Sequence, residues 1–180
     1  MINGLNSETN WINSELESEL TALIDQSLWD TGLKRRVQHY GYRYDYQSRG
    51  IDSAEPTTSL PPMVKELAGQ IARQAGVERD FNQVIVNEYQ PGQGIASHVD
   101  SFAFGDCIAS LSLLSACIMR FDHLKTGEKQ ELVLQPRSLL ILQGEARRDW
   151  KHGIAARKSD VIDGAKKLRS RRLSLTFRQV

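Results

Sequence analysis

The sequence predicts a mainly β protein (α+β overall): N-terminal helices ahead of a double-sheet jelly roll, that is, a double-stranded β-helix. Two segments before residue 80 repeat their apolar residues at helical spacing. From Phe81 onward the pattern changes to short runs rich in Val, Ile and Leu. These runs follow one another too closely for intervening helices, the signature of a sandwich or barrel.

Asn13-Ser14-Glu15-Leu16-Glu17 opens the first helix, with Ser14 and Glu17 spaced as a capping box. Leu16, Leu20, Leu23, Ile24 and Leu28 then form a face to pack on a sheet. The segment Arg35 to Tyr46 is β-branched and aromatic and reads as extended chain. Its tyrosines, Tyr40, Tyr42, Tyr44 and Tyr46, alternate and could share one face, either as a packing ladder or as a base-stacking platform. Residues 47–59 are polar and read as a surface loop. Pro61-Pro62 start a second helix with Met63, Val64, Leu67, Ile71 and Ala75 on its apolar face and Gly76 as its stop. Strands follow at Gln83 to Tyr89, Cys107 to Leu114, Ala116 to Phe121 and Glu131 to Leu134, the last two joined by a turn at Lys125-Thr126-Gly127-Glu128. Ser138 to Leu142 is apolar enough for a buried strand.

Composition narrows the class. Hydrophobic residues at 40% and charged residues at 25% are ordinary for a globular protein, and no apolar run reaches the length of a membrane span. The N-terminus lacks a secretion-signal layout. Cys107 and Cys117 form no Cys-x-x-Cys pair, so two strand thiols in a reducing cytoplasm are expected. Charge is uneven: no Lys or Arg precedes Lys34, whereas Arg147 to Arg178 holds eleven Lys/Arg against Asp149, Asp160 and Asp163. Either a polyanionic partner or a solvated basic loop accounts for this.

The chemistry centres on Asn87 to Asp100. His98 and Asp100 are two residues apart, so on extended chain both point to one side and can meet at one metal ion. His152, 52 residues after Asp100, lies on a predicted late strand. A compact His-x-Asp with a distant His is the layout of a facial triad that leaves positions open on non-haem Fe(II). His39 and His123 compete for the third place. The final segment, Arg172 to Arg178, alternates cleanly: Leu173, Leu175 and Phe177 on one side; Arg172, Ser174, Thr176 and Arg178 on the other. If both sides are covered, each guanidinium needs an anion, and a small dicarboxylate held by Arg172 would supply it.

These motifs resemble the AlkB-type Fe(II)- and 2-oxoglutarate-dependent dioxygenases, over about residue 34 to the end. The resemblance rests on Asn87-x-Tyr89 with Pro91-Gly92, His98-x-Asp100, Gly144 to Arg147 with Trp150-x-His152-Gly153-Ile154, and Arg172-x-Ser174-x-Thr176-Phe177-Arg178. It implies one dioxygenase domain over 1–180, with helices and a substrate-lid region over 1–80 and the jelly roll over 81–180. It implies Fe(II) on His98, Asp100 and His152, and 2-oxoglutarate on Asn87, Tyr89, Arg172 and Arg178, with O2 as co-reactant. Arg172 would take the distal carboxylate and Arg178 the metal-bound end. The expected reaction is oxidation of alkyl groups on nucleic-acid bases, with demethylation of N-alkylated bases in single-stranded DNA or RNA as its leading form. Alternatives are hydroxylation of a modified tRNA uridine, a protein or small-molecule substrate, or an inactive nucleic-acid-binding jelly roll. Two departures stand out: Ser174 replaces the family's common Asn, and Ser101-Phe102-Ala103-Phe104 carries no acid after His-x-Asp where repair members usually have one. In this the chain resembles the branch whose animal member hydroxylates a wobble uridine, without that member's extra domains. Tyr42, Tyr44, Phe102 and Phe104 are the stacking candidates and Arg36 the phosphate contact. A cytoplasmic monomer that acts on nucleic acid and not at a membrane is expected.

Overall fold

A computed structural model of the protein describes residues 2–45, 50–51, 56 and 58–180. In chain order these form β1 (Leu5–Glu8), α1 (Ser14–Gln26), β2 (Val37–Tyr40), β3 (Tyr44–Asp45), β4 (Gly50–Ile51), α2 (Pro62–Ala75), β5 (Gln83–Tyr89), β6 (Ile95–His98), β7 (Ile108–Leu113), β8 (Cys117–His123) and β9 (Lys129–Leu134). β10 (Leu139–Leu142), α3 (Gly144–Arg148), β11 (Trp150–Ile154), β12 (Ser159–Ile162), β13 (Ala165–Leu168) and β14 (Arg172–Arg178) complete them. A six-stranded sheet runs β1-β10-β7-β14-β5-β2 and a four-stranded sheet runs β6-β11-β8-β9. All their pairings are antiparallel.

Alternation along the strands decides which side chains go where. Val84, Val86, Leu111, Leu113, Leu173, Leu175 and Phe177 leave one side of the large sheet and pack with Leu20 and Ile24 of α1 and Val64, Leu67 and Ile71 of α2. Ile108, Leu140 and Leu142 leave the other side and meet Met119, Phe121, Leu134 and Trp150 of the small sheet. The order is therefore helices, large sheet, small sheet. The mainly β, jelly-roll class read from the sequence is the one observed.

Local details differ from the expectation. Asn13, not Ser14, caps α1, its Oδ1 accepting from the Leu16 N–H at 2.8 Å. Glu17 does not reach back; it accepts from the Leu114 N–H and pairs with Arg137. The helix ends at Gln26 because Ser27 is extended, so Leu28 leaves the apolar stripe and is 96% exposed. The tyrosine alternation breaks at Gly41, whose φ of +77° turns the chain and whose missing Cβ would lie 2.0 Å from the Asn82 carbonyl oxygen. Tyr40 consequently packs against the helix-side core and Tyr44 against the inter-sheet core. Tyr46 and most of the 47–59 loop lie outside the described residues. Cys107 and Cys117 are both free and fully buried, and burial pushes the Cys107 thiol up to about 11.

The helix side also buries a carboxylate. Glu88, between two site residues on β5, is 2% exposed and accepts from Arg36 through Nε and Nη2 (2.6 and 2.8 Å) and from Arg171 Nε (2.7 Å). Arg171 also pairs with Asp25 of α1, tying helix to sheet. The hydrogen bond from Arg36 lowers the Glu88 pKa from its ordinary value against the opposing effect of burial. A lowered folded pKa means that this stabilisation is present above the unfolded value, about 4.5, and lost as pH falls through the folded one. Glu88→Gln is expected to cost about 2 kcal/mol at pH 7 and to flatten the acid limb of Tm against pH. Melting curves from pH 3 to 7 that keep the wild-type slope would contradict the assignment.

Candidate metal and cosubstrate site

β6 and β11 are antiparallel neighbours with His98 directly opposite His152. The two rings are 4.6 Å apart, centroid to centroid. Gly153 permits this approach, since a Cβ there would lie 2.9 Å from the Ser97 Cα. Asp100, two residues beyond His98, puts Oδ2 3.4 Å from His152 Nε2. One donor atom from each of the three lies within 4.8 Å of the others. His39 sits on β2, and His123 accepts turn N–H groups from Lys125 and Thr126 on Nδ1; neither joins the cluster.

The surroundings orient these side chains for metal binding. His98 Nδ1 lies 2.8 Å from the Ala96 carbonyl oxygen. A carbonyl only accepts, so Nδ1 carries the proton and Nε2 keeps its lone pair. Burial, followed by the neighbouring His152, lowers the His98 pKa and favours the neutral ligand form. Burial would raise Asp100, but Arg178, then His152 and His98, outweigh it and hold the carboxyl well below the usual range. Arg178 Nη2 donates to Asp100 Oδ1 at 2.8 Å. Buried Arg147 of α3 donates to the Asp100 and Ser101 carbonyl oxygens at 3.0 and 2.8 Å, fixing the backbone that carries the ligand.

The polar side of β14 lines a cavity of about 530 Å³ between the sheets, together with Asn87 and Tyr89 from β5 and the three ligand residues. Arg172 is opposite Tyr89 in the register and Ser174 opposite Asn87. Arg172 is 3% exposed; its Nη2 donates to Ser112 Oγ and its charge lies 5.4 Å from the Tyr89 ring centroid. Its Nε and Nη1 have no partner, nor do Nε and Nη1 of Arg178. Four buried guanidinium donors without acceptors, beside a His-Asp-His cluster, fit a dicarboxylate that reaches a metal at one end. Tyr89 is kept protonated by burial, which raises its pKa, so its hydroxyl remains available as a donor. Ser174, the departure from the family pattern, is 3.0 Å from Ser110 Oγ.

The substrate candidates divide. Tyr44, Phe102 and Phe104 line the cavity; Tyr42 and Arg36 do not. Phe104 is 4% exposed, 5.4 Å from the Tyr44 ring and capped by Arg178 at 4.5 Å, so it is a wall rather than an open stacking face. Phe102 is 76% exposed and is the accessible aromatic at the mouth. Arg36 is engaged by Glu88 and lies 4.5 Å over Trp29, away from the cavity. Its neighbour Arg35 lines the cavity instead, with Nε donating to Asn87 Oδ1 at 2.9 Å.

Residues 1–178 match the 2OG-Fe(II) oxygenase superfamily. The chain belongs to it. Its relatives are of the AlkB type. The "Alkylated DNA repair protein ALKBH8 homolog" of Arabidopsis thaliana is 38% identical over 188 residues, covering 91% of this chain and 54% of that protein. The "tRNA (carboxymethyluridine(34)-5-O)-methyltransferase alkbh8" of Xenopus tropicalis is 36% identical over 202 residues, covering 98% of this chain and 32% of that protein. The chain thus spans about half the plant relative and a third of the frog one. The solved structure of OsALKBH1 shares the fold at TM-score 0.68 and 20% identity, covering 98% of this chain and 97% of that one.

Fe(II) and 2-oxoglutarate, when bound to this oxygenase, supply O2-driven oxidation of a substrate C–H bond with release of succinate and CO2. His98, Asp100 and His152 would hold the metal. Arg172 and Tyr89 would anchor the far carboxylate, while Arg178 neutralises Asp100 and offers its remaining donors beside it. Apolar Ile85, Met119, Leu140 and Leu142 wall the cavity and exclude water from the reacting centre.

Proposed function

We propose that this oxygenase oxidises an alkyl group carried by a base of single-stranded nucleic acid, and that a 5-substituted uridine in RNA is the base class it accepts best. The observation that carries this reading is the charge of the cavity. Among the described residues lining it, Asp100 is the sole Asp or Glu, and Arg178 already pairs with it; the other charged residues are Arg35, Arg172 and Arg178. An N-alkylated adenine or cytosine of the repair type is cationic and would find no carboxylate of this lining left to pair with it, since Asp100 is committed to Arg178 and to the metal position. A uridine bearing a neutral or acidic 5-substituent meets no such penalty, and Arg35 would favour an acidic one. The frog relative's name, which specifies a carboxymethyluridine, supports the same class. Exposed Phe102 at the mouth offers a stacking face, and a base must leave any duplex to reach it.

Demethylation of N-alkylated bases is the second reading, supported by the repair name of the plant relative. One assay separates them. The protein is loaded anaerobically with Fe(II) and 2-oxoglutarate, O2 is admitted, and succinate, formaldehyde and substrate mass are followed. The substrates are RNA carrying 5-carboxymethyluridine or its methyl ester and, separately, DNA and RNA carrying 1-methyladenine. Succinate with one oxygen added to the uridine and no formaldehyde is expected. Formaldehyde from methyladenine with an untouched uridine would overturn the uridine reading, and no succinate with any substrate would favour an inactive binding protein.

A further inference from the structure

The basic excess between Arg147 and Arg178 is mostly consumed inside the fold. Arg147 holds backbone carbonyls, Arg148 pairs with Asp106, Arg171 pairs with Glu88 and Asp25, and Arg172 and Arg178 face the cavity. Arg157 and Arg169 both clamp Asp160, which is 2% exposed, through contacts of 2.5 to 2.9 Å. Four lysines remain without an ion pair among the described residues: Lys151, Lys158, Lys166 and Lys167. All four are exposed, and the last three belong to the β12–β13 hairpin and its base.

This hairpin pairs with neither main sheet. Its four-residue strands make an arm about 13 Å long at ~3.3 Å per residue, closed by Asp163-Gly164, both at positive φ, as a tight two-residue turn requires. The buried Asp160 clamp and the Arg169 N–H to Lys158 carbonyl bond (2.9 Å) fasten its root. The root adjoins the turn between β5 and β6: the Gly92 N–H donates to the Arg157 carbonyl at 3.3 Å. The other side of that turn touches the segment bearing Arg35, since Gln93 Nε2 donates to the Lys34 carbonyl at 2.8 Å. A basic rim therefore runs from Arg35 at the mouth through Lys34 to Lys158 and out along the arm. Asp163 at the tip is its one exposed acid.

We infer that the β12–β13 hairpin is a docking arm for the phosphate backbone of the strand whose base enters the cavity. Unpaired lysines on a projecting, internally braced ribbon match a flexible polyanion, which they can meet without surrendering an existing ion pair. Val161 and Leu168, 64% and 78% exposed on the arm, offer apolar contact to sugars and bases between phosphates. The inference rests on the nucleic-acid reading of the site, and its test is built to fail separately from it.

The triple variant K158Q/K166Q/K167Q touches exposed side chains only and should fold; K158R/K166R/K167R keeps the charge. Binding of a 15-nucleotide single-stranded RNA carrying the modified uridine is measured by fluorescence anisotropy across salt concentrations. Turnover is measured on that RNA and on a trinucleotide too short to reach the arm. The Gln variant should bind the long RNA about tenfold more weakly, with the slope of log affinity against log salt reduced by about 2, at ~0.7 per lost phosphate contact. Its trinucleotide turnover should equal wild type, and the Arg variant should bind the long RNA as wild type does. An unchanged affinity and slope would overturn the arm while leaving the site reading intact. Equal losses on both substrates would overturn it too, as would loss of binding to anionic lipid vesicles with RNA binding unchanged. If wild type oxidises neither RNA, the site reading fails, and the salt slopes still decide whether the arm binds the strand.

Discussion

Arg172→Met is expected to weaken 2-oxoglutarate binding by about 10²- to 10³-fold and, at the same time, to leave the ligand-free protein no less stable than wild type. Arg172 has two buried donors without acceptors, and a carboxylate in their place would make charge-assisted bonds worth ~1.5–3 kcal/mol each. Losing both removes roughly 3–4 kcal/mol, at 1.4 kcal/mol per decade of affinity. Without ligand the same guanidinium is a buried cation that, among the described residues, meets Ser112 and the Tyr89 ring, so an apolar side chain of similar length relieves desolvation. Titration with 2-oxoglutarate under anaerobic Fe(II), followed by thermal melts, checks both parts. Wild type should show a cosubstrate-dependent rise in Tm that the variant lacks. An unchanged affinity would place the dicarboxylate elsewhere.

Asp100→Asn is expected to abolish metal binding and to destabilise the metal-free fold by about 3–5 kcal/mol, the scale for removing one partner of a buried ion pair. The carboxylate balances the charge of Arg178, which it meets at 2.8 Å, and lies 3.4 Å from His152 Nε2. The amide keeps the shape and loses the charge. Adding Arg178→Met should restore much of the Tm without restoring the metal, because it removes the cation that the first change leaves unpaired. Isothermal titration with Fe(II) or Mn(II), and melts of the two single variants and the double, give the comparison. If the double variant melts no higher than Asp100→Asn, the two side chains are not coupled as described.

What the sequence made legible were features with a short, strict period. The two sides of β14 could be separated because strand alternation is two, and His98 with Asp100 could be placed together for the same reason. What stayed hidden depends on tertiary context. Arg35 and Arg36 are adjacent and alike in type; which one faces the cavity is settled only by how the chain enters β2 beside Glu88. Leu28 fits the helical repeat, yet the helix has already ended at Gln26. Strand β1 has no apolar alternation because, Leu5 apart, it is held by backbone pairing with the edge of β10. The tyrosine alternation was real in sequence, but one left-handed glycine divided it. Phe104 carried an aromatic signal that could not reveal Arg178 lying across its ring. The hairpin at residues 159–168 was masked by its lysines, which read equally well as solvated loop.

The position of β14 bears on how the molecule is made. The strand that brings both cavity arginines lies in the middle of the large sheet, between β5 and β7, and follows both of these neighbours in the chain. A nascent polypeptide emerging from the ribosome without residues 172–178 has two open edges where the sheet should be continuous, and such edges invite pairing with other chains. Completion of the sheet and assembly of the anion slot are thus one event, so a polypeptide cut short before residue 172 would hold neither a stable fold nor a place for the cosubstrate.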